Sequence, residues 1–139
     1  MPEQERPPQR DAELRTIAMP ADTNAYGDIF GGWLLSQMDL AAGSYAIMQA
    51  RGRVATVAID AMSFHRPVYV GDQVSCFCHT QRVGTTSITV HVETWARRRL
   101  EDNFGEAVKV TEGSFTFVAL NEDGSTRPVP RDTGERQRP

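Results

Sequence analysis

The stretch NAYGDIFGGWLLSQMDL, residues 24–40, decides the fold. It opens a longer segment, residues 29–48, with apolar side chains on almost every face of a helix, which is typical of a buried helix. Yet this helix starts with two glycines, Gly31 and Gly32, and carries a carboxylate, Asp39, near its middle. Glycine weakens a helix by roughly 1 kcal/mol relative to alanine, and a buried ionised carboxylate is costly without a partner. These residues therefore indicate a role other than folding.

The rest of the chain alternates between strand-forming stretches and turn signals. A short strand is predicted at 13–19, where Pro20 ends it because proline cannot donate to a ladder. After the helix, four stretches rich in β-branched residues are separated by turn signals, which predicts a meander of antiparallel strands. Together these elements indicate an α+β fold, with a five-stranded antiparallel sheet wrapped around one long central helix. The four later strands are predicted at 54–64, 73–83, 87–97 and 106–120.

Length and composition predict one globular domain. The chain has 139 residues, 40% of them hydrophobic and 24% charged, which suffices for one core but not for two. The net charge of −3 argues against nucleic acid as the partner. The N-terminus lacks the apolar region of a secretory signal, and Gln37 and Asp39 interrupt the longest apolar stretch, so we expect a cytoplasmic protein without stable membrane insertion. Residues 1–12 and 121–139 are predicted to be flexible tails around a domain of residues 13–120.

The cysteines and histidines point to no metal site. Cys76 and Cys78 would lie on one face of a strand, and we interpret them as reduced packing residues. His65, His79 and His91 are scattered, with no zinc-binding spacing and no nucleophile in a recognisable turn. The sequence therefore predicts neither a bound metal nor a histidine-based triad.

The candidate site lies at the start of the helix. The first backbone N–H groups of a helix lack intrahelical partners and carry the positive end of the macrodipole, and glycines there would let a ligand reach them. Such donors could stabilise a developing oxyanion. Asp39 lies seven residues beyond Gly32, which is roughly 10 Å along a helix, too far for one carbonyl to contact both. We therefore predict that the amides of one chain face Asp39 of a second chain, which makes a homodimer the smallest working unit.

Structural interpretations of the same residues remain open. Asp39 could pair with an arginine such as Arg53, and the two glycines could serve only close packing. Asp28, near the helix start, fits a helix cap better than a catalytic group. Asn24 could form an Asx-turn within its loop. Residues 97–99, three arginines, fit a solvated strand end, although they could also contact a phosphate.

Three motifs together resemble the signature of the YciA-type acyl-CoA thioesterases of the hotdog-fold superfamily. They are LRTIAMPADTNAYGDIFGGWLLSQMD at 14–39, GRVATVAIDAMSFHRPVYVGD at 52–72 and VGTTSITVHVETWA at 83–96. The resemblance covers roughly residues 14–120. It implies a hotdog fold and hydrolysis of acyl-CoA to a free carboxylic acid and CoA, at a site between two subunits. CoA is then part of the substrate and product, and no separate cofactor is expected.

The resemblance also implies roles for individual residues. Asp39 matches the catalytic carboxylate, which acts either as a general base on water or as a nucleophile. Asn24 matches a second site residue, and the amide of Gly32 or Trp33 is the implied oxyanion donor. The homodimers are expected to assemble into a hexamer of three dimers or into a tetramer. The residues implied in CoA binding are Arg66 and the turn formed by Gly84, Thr85, Thr86 and Ser87.

Two other functions compete with hydrolysis. A non-catalytic acyl-CoA-binding module could use the same groove, but it would gain little from the carboxylate of Asp39. A hotdog dehydratase acting on hydroxyacyl thioesters would want a histidine at the helix start, where Phe30 stands here. The favoured function is therefore an acyl-CoA thioesterase.

Overall fold

One helix and five antiparallel strands make up the fold. The computed structural model describes residues 5–131, and in them the sheet has the strand order β1-β3-β4-β5-β2. The predicted α+β architecture is confirmed. The elements are β1 (Leu14–Ile17), a 3₁₀ turn (Pro20–Asp22), α1 (Gly31–Ala50), β2 (Val54–Phe64), β3 (Gln73–Val83), β4 (Ser87–Arg99) and β5 (Phe104–Ala119).

The order of the strands differs from the predicted meander. Strands β3, β4 and β5 pair in succession, but β2 pairs with β5 and lies at an edge of the sheet, far from β3. The prediction of one continuous meander was wrong on this point. The connection between β2 and β3, residues 65–72, is longer than a tight hairpin loop. It therefore lets the chain cross from one side of the sheet to the other.

Helix α1 begins and ends two residues later than the predicted 29–48. Phe30 is extended, with φ −61° and ψ 136°, and precedes the first helical residue without a side-chain cap. At the other end Arg51 adopts the left-handed conformation, with φ 58°, and its N–H bonds to the carbonyl of Ile47. A left-handed residue at this position closes a helix by satisfying one of its last carbonyls.

Only one face of α1 packs against the sheet. The opposite face is open in the protomer, where Leu40 is 61% exposed, Ile47 49% and Met48 51%. The prediction that the helix is buried on all sides is therefore wrong for a single protomer, because the sheet covers only half of its circumference. The buried face and the sheet residues opposite it form the main core: Met38, Ala41, Ala42, Ala46, Cys76, Cys78, Ile88, Val90, Val92, Phe115 and Phe117.

The described part of the C-terminal segment packs against the domain. Residues 121–139 were predicted to be a flexible tail. In the structure Val129 is buried beside Ala50 and Ala119, and its N–H donates to the carbonyl of Thr85 over 2.8 Å. A buried valine gains the free energy of leaving water. Residues up to 131 therefore lie on the domain surface, and residues 132–139 of the predicted tail lie outside the described residues.

The described part of the N-terminal segment also contacts the sheet. Within the predicted tail 1–12, Arg10 donates to the carbonyl of Cys78 over 2.6 Å and pairs with Glu13 at 3.1 Å. The guanidinium lies 5.7 Å from the ring centre of Phe77. These contacts hold the segment against the sheet face that is turned away from α1. Residues 1–4 lie outside the described residues.

Cys76 and Cys78 are buried in the core and form no disulfide within residues 5–131, in keeping with the predicted reduced packing residues. Burial raises the pKa of Cys76 to about 11, although a hydrogen bond with Thr94 acts in the opposite direction. This thiol is therefore protonated and unreactive at neutral pH. Within residues 5–131, no cluster of three histidine, cysteine or acidic side chains could hold a metal ion, and no helix is long and apolar enough to cross a membrane.

Candidate active site

Asp39 is fixed by a hydroxyl from the neighbouring edge strand. It lies near the middle of α1 and is half-buried, and Thr56 Oγ1 of β2 donates to its Oδ1 over 2.8 Å. The alternative partner suggested by the sequence, Arg53, instead donates to the carbonyl of Glu122 over 3.1 Å. The sequence analysis missed Thr56, because this contact depends on how β2 packs beside the helix. A hydroxyl donor leaves the carboxylate charge uncompensated and its second oxygen, Oδ2, available for a substrate or water.

The first residues of α1 differ in whether their amides are engaged. The N–H of Trp33 donates to the carbonyl of Phe30 over 3.1 Å, and Leu34 donates to the same carbonyl. Within residues 5–131, no carbonyl accepts from the N–H of Gly32. A Cβ built on Gly32 would meet no atom within 4 Å, so a ligand can approach this amide directly. Of the two predicted oxyanion donors, Gly32 is therefore the better placed.

Asn24 organises the loop that leads into α1. Its Oδ1 accepts from the N–H groups of Tyr26, over 2.8 Å, and Asp28, over 3.1 Å. This is the Asx-turn that the sequence allowed as an alternative. The backbone N–H of Asn24 also donates to the carbonyl of Asp28 over 2.7 Å. Asp28 therefore belongs to this loop and does not cap the helix, because Phe30 holds that position. The Nδ2 group of Asn24 is the part that can donate to a ligand.

The residues predicted to bind CoA fall into two separate groups. Arg66 lies exposed beside the middle of β5, where its Nη1 donates to the carbonyl of Lys109 over 3.0 Å. The predicted turn, residues 84–87, lies by the other end of β5, where Ser87 pairs with Val118. Nine residues of strand separate these two points, which is about 30 Å. One protomer therefore does not bring Arg66 and the turn to the same phosphate.

The histidines lie away from Asp39, on the outer face of the sheet. His65 Nε2 is 2.9 Å from one carboxylate oxygen of Glu112, and His91 Nε2 is 3.3 Å from the other. Burial acts to raise the pKa of Glu112, but the hydrogen bond from His65 and the charge of Lys109 outweigh it and hold this pKa below its usual value. This cluster is an ion-pair network that borders a small cavity together with Arg66 and Lys109.

Comparison with protein families identifies a match over the middle of the chain. The model of the thioesterase superfamily matches residues 26–102. The acyl-CoA thioester hydrolase YciA of Salmonella typhimurium is 50% identical over 123 residues, which cover 88% of this chain and 92% of that protein. The hexameric broad-specificity acyl-coenzyme A thioesterase HI0827 has a similar crystal structure, with a TM-score of 0.83 and 44% identity over 94% of this chain and 88% of that chain.

A more distant similarity concerns individual side chains. The acyl-CoA hydrolase of Staphylococcus aureus, solved with butyryl coenzyme A, has a TM-score of 0.75 and 28% identity over 84% of this chain and 70% of that chain. Three similar structures of it each carry one alanine substitution, at an asparagine, an aspartate or a threonine. In that enzyme the aspartate follows the asparagine by 15 residues, and the threonine follows the aspartate by 17.

Proposed function

The chain belongs to the thioesterase superfamily, among its YciA-type acyl-CoA thioester hydrolases, and we propose that Asp39 carries out the hydrolysis at a site completed by a second copy of the chain. The products are a free carboxylic acid and CoA. The observation that carries the proposal is the hydrogen bond from Thr56 to Asp39, because it fixes one carboxylate oxygen and leaves the other for chemistry.

The spacing of the site residues supports the same assignment. Asn24, Asp39 and Thr56 are separated by 15 and 17 residues, the same spacings as the three residues substituted in the Staphylococcus aureus enzyme. In this chain the side chains of Asp39 and Thr56 are in contact, and Asn24 lies in the loop before the helix. We therefore add Thr56 to the site as a residue that positions Asp39.

Two routes to the products use the same groups. In the first, Asp39 takes a proton from water, and the hydroxide attacks the thioester carbonyl. In the second, Asp39 itself attacks, which forms a mixed anhydride that water then hydrolyses. In both, a tetrahedral oxyanion that the N–H of Gly32 stabilises collapses with cleavage of the C–S bond, and the CoA thiolate takes up a proton. In the second route this collapse forms the anhydride, which water cleaves afterwards. Asn24 Nδ2 would position the carbonyl or the water.

A second copy of the chain is needed because of where these groups lie. Gly32 and Asp39 are roughly 10 Å apart along one helix, so they must come from two helices to meet at one carbonyl. The surface around Asp39 and Thr56 is suited to such a partner. It is apolar and exposed, and it includes the edge strand β2: Leu40 is 61% exposed, Val57 57% and Ile59 42%. We propose an antiparallel homodimer across this surface, with three dimers forming a hexamer like the relative HI0827.

The dimer also bears on the predicted CoA contacts. Because Arg66 and the turn at 84–87 lie about 30 Å apart in one protomer, they can serve one CoA molecule only if each comes from a different chain. We propose Arg66 as the contact nearer the helix start. It follows β2, whose last residue, Phe64, lies 3.7 Å from the position of a Cβ on Gly31.

The deciding experiment measures release of CoA thiol with a thiol-reactive dye. Short-, medium- and long-chain acyl-CoAs are tested with the wild type, with Asp39→Ala and with the matched control Asp102→Ala, an exposed carboxylate in the β4–β5 turn. We expect turnover by the wild type and the control. We expect Asp39→Ala to lose at least about a hundredfold in rate, which is nearly 3 kcal/mol of barrier.

Two results would contradict the proposal. If the wild type binds acyl-CoA but hydrolyses none of the panel, the chain is a binding module and Asp39 is structural. If Asp39→Ala hydrolyses as fast as the wild type, another group performs the chemistry. Circular dichroism of both variants shows whether a lost rate comes from a lost fold.

A further inference from the structure

A cavity lies on the outer face of the sheet, turned away from α1. It has a volume of about 360 Å³ and lies between the N-terminal segment and strands β1, β3, β4 and β5. Its floor contains Phe77 and Trp95, which are only 4% and 3% exposed. Side chains alternate across a strand, and Cys76, next to Phe77, faces the core under α1. The cavity is therefore on the opposite side of the sheet from Asp39 of the same protomer.

Cationic groups predominate around this cavity. Four arginines line it, opposed by two glutamates, Glu5 and Glu106, although the whole chain carries a net charge of −3. Glu5 is itself engaged, because its carboxylate lies 3.5 Å from Lys109 Nζ. Arg10 is likewise paired with Glu13, so three arginines face Glu106 and Glu93, which accepts from Trp95 Nε1 on the floor, and a small excess of positive charge remains. The four arginines are Arg6, Arg10, Arg15 and Arg97.

Two of these guanidinium groups are held in place by hydrogen bonds to residues of the sheet. Arg15 Nε donates to Ser75 Oγ over 2.8 Å. Arg97 Nε donates to the carbonyl of Gly105 over 2.7 Å, and its Nη2 donates to the carbonyl of Phe104 over 3.2 Å. A guanidinium has five N–H donors in a rigid fork, so each keeps terminal donors for a ligand. Their orientation is therefore fixed before a ligand arrives, which lowers the entropic cost of binding.

The other two arginines reach the cavity from the N-terminal segment. Arg10 is anchored by Glu13 and by the carbonyl of Cys78. Arg6 is exposed and, within residues 5–131, makes no hydrogen bond or ion pair that would hold it elsewhere. The segment therefore supplies one fixed and one adaptable cation above the two fixed on the sheet.

We propose that this cavity binds the phosphate groups of a small diphosphate-containing molecule. Bidentate hydrogen bonds from guanidinium groups recognise phosphate oxygens, and four guanidinium groups around one cavity suit a ligand with two phosphates. A diphosphate is part of CoA and also of free nucleotides, so the ligand is either the nucleotide end of a CoA molecule or a separate nucleotide diphosphate. The site does not depend on the proposed hydrolytic role of Asp39.

The test titrates the full chain with inorganic pyrophosphate by isothermal calorimetry. The variants are Arg15→Gln/Arg97→Gln, which removes the two cations fixed on the sheet, and Arg6→Gln, which removes a side chain with no described contact to lose. The matched control is Arg82→Gln, an exposed arginine on β3 that does not line the cavity. We expect the pyrophosphate Kd to rise at least about tenfold in the double variant and about threefold in Arg6→Gln, with no change in the control. Thermal melting curves verify that each variant is folded.

Absence of pyrophosphate binding to the wild type would overturn the proposal, as would equal affinity in the wild type, the double variant and Arg6→Gln. Competition then identifies the source of the diphosphate. If CoA displaces pyrophosphate and the double variant raises KM for acyl-CoA with kcat unchanged, the site holds the substrate's own nucleotide. If ADP displaces pyrophosphate and CoA does not, it holds a separate nucleotide. Failure of the hydrolysis assay would leave this titration unaffected, so the two proposals fail separately.

Discussion

At the scale of single residues, the contact between Thr56 and Asp39 is the most informative feature of the site. A carboxylate in a helix that faces an apolar surface is costly unless a donor satisfies it. Here one hydroxyl at 2.8 Å does so without adding a compensating positive charge. An arginine in the same place would have held the carboxylate in a salt bridge. The residue types at this contact therefore suit a group that must react with water or with a carbonyl.

Replacing Thr56 by valine tests this role, because valine has a similar shape and no hydroxyl. We expect kcat for acyl-CoA to fall by about tenfold or more, with KM little changed, since the loss affects the positioning of Asp39 and not substrate binding. Thr56→Ser keeps the hydroxyl and should retain most of the rate. If the serine variant is as slow as the valine variant, the threonine methyl group and its packing, not the hydrogen bond, determine the rate.

At the scale of elements, strand β2 contains an irregularity that places a core residue. Its pairing with β5 shifts register between Asp60 and Ser63, and Ala61 there has φ 53°, a left-handed conformation. The irregularity turns Met62 towards the core, where it lies against Gly113, a residue without a side chain that would collide with it. Backbone strain at Ala61 therefore accompanies the placement of Met62 in the space between sheet and helix.

Glycine at position 61 should relieve this strain. The left-handed conformation costs alanine about 1–2 kcal/mol, which glycine avoids. Glycine also raises the conformational entropy of the unfolded chain, and this offsets part of the gain. We therefore expect Ala61→Gly to raise the free energy of unfolding by about 0.5–1 kcal/mol in urea titrations at a fixed protomer concentration. Ala58→Gly, in the same strand but without positive φ, should lower it by a similar amount. A loss of stability in both variants would show that Ala61 is unstrained in solution.

The pairing of β3 with β4 makes stability depend on pH through His79. Burial, followed by the charge of His91 at a ring distance of 5.0 Å, lowers the pKa of His79 below its usual 6.5, although Glu93 opposes this. The unfolded state then takes up a proton at a higher pH than the folded state does. The stabilising contribution is present above pH 6.5 and is lost as the pH falls through the folded-state pKa.

We expect His79→Gln to be less sensitive to this acidification than the wild type. Urea titrations at pH 7.5 and at pH values below 6.5 should show a smaller loss in the free energy of unfolding for the variant. His65→Gln is the comparison, because it removes a histidine that contacts Glu112, as His91 also does, and so shows how much of the pH dependence comes from that ion-pair network. Equal pH dependence in the wild type and in His79→Gln would show that other groups cause the acid instability.

At the scale of the whole molecule, the protomer leaves an apolar surface uncovered. The exposed half of α1 and the edge strand β2 form one apolar surface, and a long exposed edge strand is prone to pair with another chain. The candidate site lies within this surface. Assembly and activity should therefore be lost together when the surface is made charged.

Val57→Lys provides the whole-molecule test, because Val57 is 57% exposed on β2 next to Thr56. We expect light scattering to show protomers in place of the assembled form, and thiol release to fall at least about a hundredfold, because the oxyanion donor and Asp39 no longer meet. Val70→Lys, at a comparably exposed valine outside the strands, should preserve both assembly and rate. A Val57→Lys variant that is active as a separate protomer would refute the shared site.

The sequence predicted most of the elements but not their arrangement. The bounds of β2 and β3 match the predicted strands, because turn signals flank both. The edge position of β2 was missed, since pairing partners far apart in sequence leave no local signal. The helix was predicted as buried all round, which holds for only half of its surface within one protomer. Gly32 and Asp39 were proposed as site residues from local chemistry and Asn24 from the resemblance, whereas Thr56 could not be predicted, because its role arises from a contact between two elements.

The sequence by itself determined the features that depend on local interactions. These are the strand and helix segments, the glycines at the helix start and the carboxylate within the helix. Periodicity and turn residues act over a few positions, so they can be read directly. Tertiary structure alone decided the strand order, the hydroxyl that holds Asp39, the free amide of Gly32 and the arginine-lined cavity on the outer face. Each of these depends on chain segments that approach one another only when the sheet closes around the helix.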